Sequence, residues 1–377
     1  MKVSVLQENL AFGLGIVSRA TSLRSSLPVL ENVLVASDGG RLRLSATNLE
    51  LGITCWIGAN IEAEGSTTVP ARTFTELVKT MSDRIELSLT AKTETLKVSD
   101  AVAKGKVKGI SANDFPPARI SEGSAIEIAA ADLKEAIQQV AFAASSDLGR
   151  PVLNGVLIGL DDNNTLTLVA VDGFRLSKCT LVPGNTPKDV KPFRVIVPVR
   201  SLSELARILR GDETVSMSML AANNLVVFRT PDIEATSLLI DGEFPDYQQI
   251  IPCAHNTQAT VNTSDLLTAC KQANIFARDG DYSAMVNIFP TDDDGTDRIV
   301  ISGKSAETGG TNSVVDAVVN GGAVTTAFNV RFLQDALKAV KTPSVVLETM
   351  SAQGACVIRP VDNDTFLQMV MPMKTKE

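Results

Sequence analysis

The chain repeats one pattern three times, and this repetition limits the folds open to it more than any other feature. The repeated segments are VPARTFTELVKTM at 69–81, VPVRSLSELARIL at 197–209 and NVRFLQDALKAV at 329–340. In each copy, apolar residues begin two positions after an arginine and recur at offsets of 3, 4 and 7, the spacing of one α-helical face. Arg72, Arg200 and Arg331 lie about 130 residues apart, which is too far for a solenoid unit. The pattern therefore predicts three similar domains.

A second apolar stripe precedes this helix in every copy. Its members are Leu10, Gly13, Leu14 and Val17; Leu133, Ala136, Ile137 and Val140; and Leu266, Ala269, Cys270 and Ala273. Just before these stripes stand Asn9, Asp132 and Asp265, residue types that accept from the free N–H groups of a first helical turn. Alternating apolar pairs predict strands at Leu42 and Leu44, Leu166 and Leu168, and Ile299 and Ile301. Each copy closes near a proline, at Phe115-Pro116, Phe244-Pro245 and Met371-Pro372.

These features predict an α+β chain of three tandem domains, each with two helices and antiparallel sheets. The length of 377 residues suits three domains of ordinary size. Proline-, serine- and glycine-containing interruptions place the domains at 1–122, 123–252 and 253–377.

Composition limits the cellular setting. Apolar residues make up 44% of the chain and aromatic residues only 4%, so aliphatic side chains must fill the cores. No apolar run reaches 18 residues, and no basic segment followed by an apolar stretch opens the chain. The five cysteines include no C-x-x-C pair, which is typical of free, buried thiols in a reducing compartment. We expect a cytoplasmic protein.

Residues for catalysis or metal binding are scarce. His255 is the only histidine, and it falls at a predicted domain boundary, so no Ser-His-Asp or Cys-His arrangement is expected. The glycines of AFGLGIV lie inside a helical stripe, and no phosphate-binding loop motif is present. The tract TDDDGTD at 291–297 lacks the closing glutamate of a calcium loop and is interpreted as a hairpin turn. We therefore predict no enzyme activity, no cofactor and no metal.

Three carboxylates repeat with the arginines. Glu76, Glu204 and Asp335 each stand four residues after the repeated arginine, one helical turn on. We interpret them as i,i+4 ion pairs rather than as acid–base catalysts, because a catalytic group is not needed in triplicate.

The chain resembles the bacterial DNA polymerase III sliding clamp, the β subunit of the replicase, over essentially its whole length. The segments that carry the resemblance are SLPVLENVLV (26–35), TTVPARTFTELVK (67–79), ANDFPPAR (112–119), LNGVLIG (153–159), VDGFRLS (171–177), LIDGEFPDYQQIIP (239–252) and VMPM (370–373). The resemblance implies a head-to-tail ring of two chains with helices around a central hole. It also implies tethering of DNA polymerase III and other replication and repair proteins to duplex DNA, after assembly by a clamp loader.

Net charge is −8, which is unusual for a DNA-binding protein. A closed ring needs only weak phosphate contacts, because threaded duplex cannot dissociate from it. By the resemblance, the residues expected to contact DNA include Arg24, Arg72, Arg150 and Arg200. On the helix faces opposite the apolar stripes, the basic residues expected to line the hole are Lys79, Arg207, Arg210, Lys338, Lys134, Lys271 and Lys341. Where some relatives carry an aromatic pair, this chain has Pro151-Val152, which argues against stacking on single-stranded template there.

By the same resemblance, a groove between the second and third domains should bind a short apolar–aromatic peptide motif. Its expected residues are Leu153, Val171, Gly173, Phe174, Arg175, Leu176, Pro245, Gln249, Ile250, Ala355, Met369, Val370, Met371, Pro372 and Met373. Leu176 and Val370 have an alternative role as core strand residues.

By the same resemblance, the ring should close where the third domain of one chain meets the first domain of another. The residues implicated are Lys104, Lys106, Val107, Ile275, Phe276 and Glu307. Two alternative functions remain open: a three-domain scaffold or adhesion protein without DNA, and a polymerase-associated enzyme.

Overall fold

The computed structural model describes every residue except 23–24, 118–123, 148, 221–222, 291–294 and 375–377. Its α-helices are α1 (Gln7–Val17), α2 (Ala71–Lys79), α3 (Ala130–Val140), α4 (Val199–Ile208), α5 (Thr263–Ala277) and α6 (Val330–Ala339). Its strands are β1 (Lys2–Leu6), β2 (Asn32–Asp38), β3 (Arg41–Thr47), β4 (Leu51–Gly58), β5 (Asn60–Ala63), β6 (Ser66–Pro70), β7 (Arg84–Thr90), β8 (Thr95–Ser99), β9 (Lys104–Lys108), β10 (Ala125–Ala129), β11 (Gly155–Leu160), β12 (Leu166–Val171), β13 (Arg175–Leu181), β14 (Phe193–Pro198), β15 (Thr214–Leu220), β16 (Leu225–Arg229), β17 (Ile233–Leu238), β18 (Thr257–Asn262), β19 (Ser283–Phe289), β20 (Arg298–Ser305), β21 (Gly309–Gly321), β22 (Val324–Asn329), β23 (Ser344–Thr349), β24 (Cys356–Pro360) and β25 (Phe366–Val370).

The predicted helices form, and their apolar stripes are buried. Phe74, Leu202 and Leu333, which begin the stripes of α2, α4 and α6, are at most 4% exposed. The side chain of Asn262 caps α5 by accepting from the N–H groups of Ser264 and Asp265. Asp265 itself lies in the first turn, as predicted. Apolar periodicity was therefore a sufficient guide to these helices.

Gly13 lets α1 pack closely on the sheet behind it. A Cβ at this position would lie 2.7 Å from Leu44 Cδ1 on β3 and 3.1 Å from Ile57 Cγ2 on β4. The glycine in AFGLGIV thus serves helix–sheet packing, in agreement with its interpretation as part of a helical stripe.

The chain forms two compact units. Unit 1 comprises Met1–Lys134, Pro183–Lys191 and Arg200–Leu239. It holds a five-stranded sheet in the order β5-β1-β7-β8-β9 and an eight-stranded sheet in the order β10-β15-β16-β17-β4-β3-β2-β6. In the larger sheet, β17 of the second repeat pairs antiparallel with β4 of the first, with Ala235 opposite Ile53.

Unit 2 comprises Glu135–Val182, Pro192–Val199 and Ile240–Glu377. Its twelve strands follow the order β14-β11-β12-β13-β25-β24-β23-β18-β21-β20-β19-β22. Here β13 of the second repeat pairs antiparallel with β25 of the third, with Ser177 opposite Gln368. Each unit therefore joins neighbouring repeats through a continuous strand ladder.

Every repeat ends with the same backbone contact. The residue just beyond the last strand pairs with the edge strand that precedes the second helix: Ile110 with Thr68, Ile240 with Ile196, and Met373 with Ala327. Met373 is therefore the counterpart of Ile110 and Ile240. Each contact lies near the proline that closes the repeat, but Pro372 precedes its contact whereas Pro116 and Pro245 follow theirs.

No helix in the described part of the chain combines the length and apolar character that crossing a bilayer requires.

Candidate nucleic-acid and peptide-binding surfaces

The described residues contain no group of three or more histidine, cysteine or carboxylate side chains placed to hold a metal ion. Burial raises the pKa of the Cys55, Cys179, Cys270 and Cys356 thiols to about 12, so these sulfurs stay protonated and unreactive. His255 Nδ1 lies 3.6 Å from Glu348 Oε1.

An apolar cluster lies in the unit 2 sheet at the seam where β13 meets β25. Its buried members, here called the floor, are Leu157, Val169, Val171, Leu176, Ile196, Tyr247, Val357, Leu367 and Met369. Packed against the floor and partly exposed are Val152, Ile240, Phe244, Ile251 and Ala355. We call this surface the seam groove.

Three exposed apolar side chains mark the segments around the seam groove: Phe174 at 63%, Ile250 at 42% and Met371 at 37%. Phe174 sits in the β12–β13 turn, whose Asp172 Oδ1 accepts from the N–H groups of Phe174 and Arg175. Gly173 supplies the positive φ of 96° that this turn requires. The N–H of Met371 donates to the carbonyl of Phe174 at 2.8 Å, so the C-terminal segment and the turn are held together.

Val171, Leu176, Met369 and Ala355, four of the residues expected in the groove, belong to this surface. Leu153 is 9% exposed and lies just before β11. Of the other expected residues, Gly173, Pro245 and Gln249 are exposed, whereas Pro372 and Met373 are half-buried.

Arg175 and Val370 lie on the opposite side of the sheet, because alternate strand residues point to opposite faces. Leu176 and Met369 face the groove, so their neighbours Arg175 and Val370 do not. The guanidinium of Arg175 instead bonds Asp172 and Asp335 at 3.0 and 2.8 Å and stacks 4.3 Å from the Phe332 ring centroid. These two side chains therefore point away from the floor, and their place in a peptide groove stays a prediction.

Sequence reasoning missed several floor residues, among them Val169, Tyr247 and Leu367. Val169 and Leu367 stand two positions before the predicted Val171 and Met369, so strand alternation alone could have identified them. Tyr247 is only 7% exposed, and it lies inside the quoted segment 239–252.

Basic side chains on the unit 1 helices fall into two groups. Arg72 pairs with Glu76 at 3.0 Å although both side chains are largely exposed, and Arg207 pairs with Glu204 at 2.5 Å. Lys79 and Arg200 are exposed, with no ion pair among the described residues. Arg210 is exposed too, and its guanidinium stacks 4.4 Å from the Phe12 ring centroid. Lys134 donates to the Leu209 carbonyl, and Arg24 lies outside the described residues.

In unit 2 the predicted basic residues are mostly paired. Arg150 Nε lies 2.9 Å from Asp147 Oδ2, and its Nη2 donates to the Asp172 carbonyl. Hydrogen bonds from the Gly149 N–H and from Arg150 hold the pKa of Asp147 below its ordinary value, which favours the charged form of that partner. Lys338 approaches Asp335 at 3.6 Å, and Lys341 approaches Glu135 at 2.7 Å. Lys271 is exposed.

The repeated carboxylates have different partners in the three repeats. Only Glu76 pairs with the arginine four residues earlier. Glu204 bonds Arg19 and Arg207, and Asp335 bonds Arg175 and Lys338. The i,i+4 prediction is therefore confirmed for one repeat and wrong for two, because a residue from the preceding repeat approaches Glu204 and Asp335.

The residues expected at a chain–chain contact lie near two unpaired strand edges. In unit 1, β9 ends its sheet, with Lys104 and Lys106 exposed and Val107 only 4% exposed. In unit 2, Gly309–Asp316 of β21 pair with β20 on one side only. Ile275 is 53% exposed, Phe276 Cε1 lies near Gly309, and Glu307 is exposed in the β20–β21 turn.

Comparison with known proteins accounts for the whole chain. Successive stretches match models of the DNA polymerase III beta subunit: its N-terminal domain at residues 1–119, its central domain at 127–246 and its C-terminal domain at 248–374. Relatives named "Beta sliding clamp" from Synechococcus elongatus and Bacillus subtilis are 29% and 28% identical, with full coverage of both chains.

Solved structures agree with these matches. The DNA polymerase sliding clamp of Bacillus subtilis superimposes with a TM-score of 0.93 at 26% identity, over 100% of both chains. A sliding clamp from Pseudomonas aeruginosa bound to griselimycin superimposes with a TM-score of 0.90 at 28% identity, again over 100% of both chains.

Proposed function

The chain belongs to the DNA polymerase III beta subunit family, the bacterial sliding clamps, and we propose that two copies form a closed ring around duplex DNA. The ring tethers the replicative polymerase and other replication and repair proteins to their template and is itself not an enzyme. The observation that carries this proposal is the threefold repeat, in which two seams between repeats are already joined and two complementary strand edges are left open. We infer that the protein acts in the bacterial cytoplasm, where the chromosome lies.

The closed seams predict how the open edges meet. Ala46, Ala170 and Gly303 occupy the same position in the three repeats. The residues paired with them on the following strand are Ile53, Ser177 and Thr311, which are therefore equivalent too. In the same way Ala235, Gln368 and Gly105 are equivalent at the other edge. The known pairs are Ala235 with Ile53 and Gln368 with Ser177. The third pair is then Gly105 of one chain with Thr311 of its partner.

This register also explains why two apolar side chains near the open edges are not fully buried. Leu77 of α2 is half-buried, whereas its equivalents Leu205 and Ala336 are buried. Ile275 is equivalent to Arg19, which pairs with α4 at its own seam. We therefore place Ile275 and Phe276 against α2 of the partner. Two such head-to-tail contacts close a ring, as heterologous interfaces do when the rotation closes.

Duplex DNA threaded through such a ring needs no tight binding. Arg200 and Lys79, exposed and without ion pairs in the described part of the chain, supply weak phosphate contacts that fall with rising salt. Five further basic residues contact phosphate once their carboxylate or aromatic partners release them: Arg72, Arg150, Arg207, Arg210 and Lys338. Arg24 is proposed by resemblance alone. Such contacts carry no sequence information, which suits sliding.

The seam groove is the proposed docking site for partner peptides. Its apolar floor suits a short apolar–aromatic motif, and the exposed Phe174 and Met371 can repack over the bound side chains. We expect Phe174→Ala to weaken binding of such a peptide from the polymerase about tenfold or more, because an aromatic anchor is lost. Fluorescence anisotropy with the labelled peptide measures this, and Val182→Ala, an exposed residue outside the groove, is the control.

Topological retention tests the ring. The chain is loaded by its clamp loader on nicked circular DNA and passed through a gel-filtration column, before and after the circle is cut. We expect comigration with the circle and release on linearisation. A scaffold or adhesion protein without DNA binding would not comigrate in either case.

A further inference from the structure

We propose that unit 1 carries a second peptide-binding pocket, specific for an extended segment with a carboxamide side chain (Asn or Gln) between apolar ones. This pocket goes beyond the proposed function, which assigns partners only to the seam groove. It lies on the eight-stranded sheet at the β4–β17 seam and is a cavity of about 500 Å³.

The pocket occupies the position in unit 1 that the seam groove occupies in unit 2. In the β3–β4 turn, Asn48 Oδ1 accepts from the N–H groups of Glu50 and Leu51, as Asp172 Oδ1 does in the β12–β13 turn. Phe115 and Pro116 line the pocket where Phe244 and Pro245 stand beside the groove. The two surfaces therefore share one architecture.

Their chemistry differs, because polar residues replace the apolar floor. Strand pairing makes Thr47, Thr236 and Glu234 the counterparts of Val171, Met369 and Leu367. Gly52 stands in place of Leu176, and a Cβ there would lie 2.6 Å from Thr236 Oγ1. The Thr236 hydroxyl thus fills the place of the leucine side chain, and the hydroxyl and carboxylate groups make the pocket unsuitable for the motif that fits the seam groove.

Arg43 indicates what the pocket accepts. It lines the cavity, and its Nε is buried with no hydrogen-bond partner among the described residues, while Nη1 lies 3.5 Å from Asp38 Oδ2. A buried donor without an acceptor is unfavourable, so a ligand that brings an acceptor binds with that advantage. Glu50 and Glu234 also line the cavity, and because Glu234 is paired with Arg229, it is Glu50 that disfavours a carboxylate. A carboxamide offers an acceptor to Arg43 and donors to the acidic wall without adding charge.

Leu49 provides an independent indication. It has φ of 77°, a region that disfavours branched side chains, although its counterpart in the other turn is Gly173. The side chain is 53% exposed and lines the pocket. Leu49 thus has an unfavourable backbone conformation and an apolar side chain exposed to solvent, and a contact with an apolar group of the ligand would bury that side chain.

The test uses the full-length dimer with methyl-labelled leucines and the blocked peptide acetyl-Leu-Asn-Leu-amide. We expect saturable shifts of the Leu34 and Leu225 methyl resonances, with weaker binding of the analogues that carry Leu or Asp in place of Asn. Arg43→Lys keeps the charge near Asp38 but removes Nε, and it should weaken binding about tenfold. Leu49→Gly should weaken binding without lowering thermal stability, because glycine relieves the backbone.

Phe174→Ala is the matched control, since it removes an exposed side chain of the seam groove and should leave these shifts unchanged. The proposal is overturned if the Asn and Leu peptides bind equally, if no saturable shift occurs, or if Phe174→Ala abolishes the shifts. Retention on circular DNA is measured separately, so failure here and failure of the ring are distinguishable.

Discussion

Arg19 Nη1 lies 2.9 Å from Oε2 of Glu204, a residue 185 positions later in the chain, and this ion pair joins the first repeat to the second. Arg207 donates to the other oxygen of the same carboxylate. The Glu204 side chain is only 15% exposed, so one shielded carboxylate balances two guanidinium groups. Glu76, its counterpart, pairs only with Arg72 among the residues that the structure describes, and its side chain is 66% exposed.

Glu204→Gln is expected to lower the free energy of unfolding of unit 1 by about 1–2 kcal/mol, because two arginines lose a charged acceptor. Glu76→Gln should change it by no more than about 0.5 kcal/mol, since an exposed i,i+4 pair contributes little. Urea unfolding of both variants measures the difference. Equal effects would contradict the role given to Glu204.

Arg200→Gln should weaken duplex binding and reduce the slope of log K against log salt by about 1, because one phosphate contact is lost. Arg207→Gln should have a smaller effect, since Glu204 already compensates that charge at 2.5 Å. Titration of labelled duplex at several salt concentrations compares the two variants. A larger loss from Arg207→Gln would mean that the pair opens readily on DNA.

Ile275→Asp is expected to convert the dimer to monomers, because it buries an unpaired charge against α2 of the partner. Phe276→Asp should act in the same way. Val182→Asp is the control, since Val182 is 69% exposed and belongs to neither of the strands that form the open edges. Sedimentation equilibrium gives the masses, and an intact Ile275→Asp dimer would refute the assigned interface.

Met373→Pro should lower the free energy of unfolding by about 1 kcal/mol or more, because proline removes the N–H that donates to Ala327 at 2.7 Å. Lys374→Pro is the matched control, since the Lys374 N–H makes no such bond with any described residue. Urea unfolding measures both variants.

Deletion from residue 369 onward is a poor test of peptide binding, because Met369 and Val370 are buried strand residues.

Thiol chemistry should separate Cys253 from the other four cysteines. Cys253 is exposed, whereas burial raises the pKa of Cys356 from 9.0 to about 12. At pH 8 a thiol reagent should therefore modify one cysteine per chain quickly, and Cys253→Ser should abolish that phase.

The same pKa shifts predict how stability depends on pH. The buried thiols have a pKa of about 12 in the folded chain, whereas the same thiols ionise near pH 9 in the unfolded chain. Their contribution to the free energy of unfolding is therefore full below pH 9, and it declines between pH 9 and 12 because only the unfolded chain loses these protons there. Cys356→Ala should reduce this decline by up to about 1.4 kcal/mol per pH unit. Urea unfolding of the two proteins across this range measures it, and parallel pH profiles would contradict the assignment.

The helices were predictable because their stripes obey one period and are buried as that period requires. The three-domain organisation followed from repetition of those stripes. Strand partners were not predictable in the same way, since β17 pairs with β4 across 178 or more positions of sequence and no local pattern specifies a distant partner.

The sequence located the segments that form the seam groove but not the direction of each side chain in them. Arg175 and Val370 were assigned to the groove with their neighbours, yet strand alternation turns them away from it. The pairing of Glu204 with Arg19 could not be predicted either, because the local sequence suggested Arg200, four residues before Glu204, as the partner.

Strand ladders that cross the repeat boundaries make the covalent link at those boundaries structurally redundant. If β9 and β21 meet between chains as β17 meets β4 within one, the same six-domain assembly could be built from three polypeptides of two repeats as readily as from two of three. Dividing the gene at a boundary would then change the stoichiometry of the subunits and leave the geometry of the assembly intact.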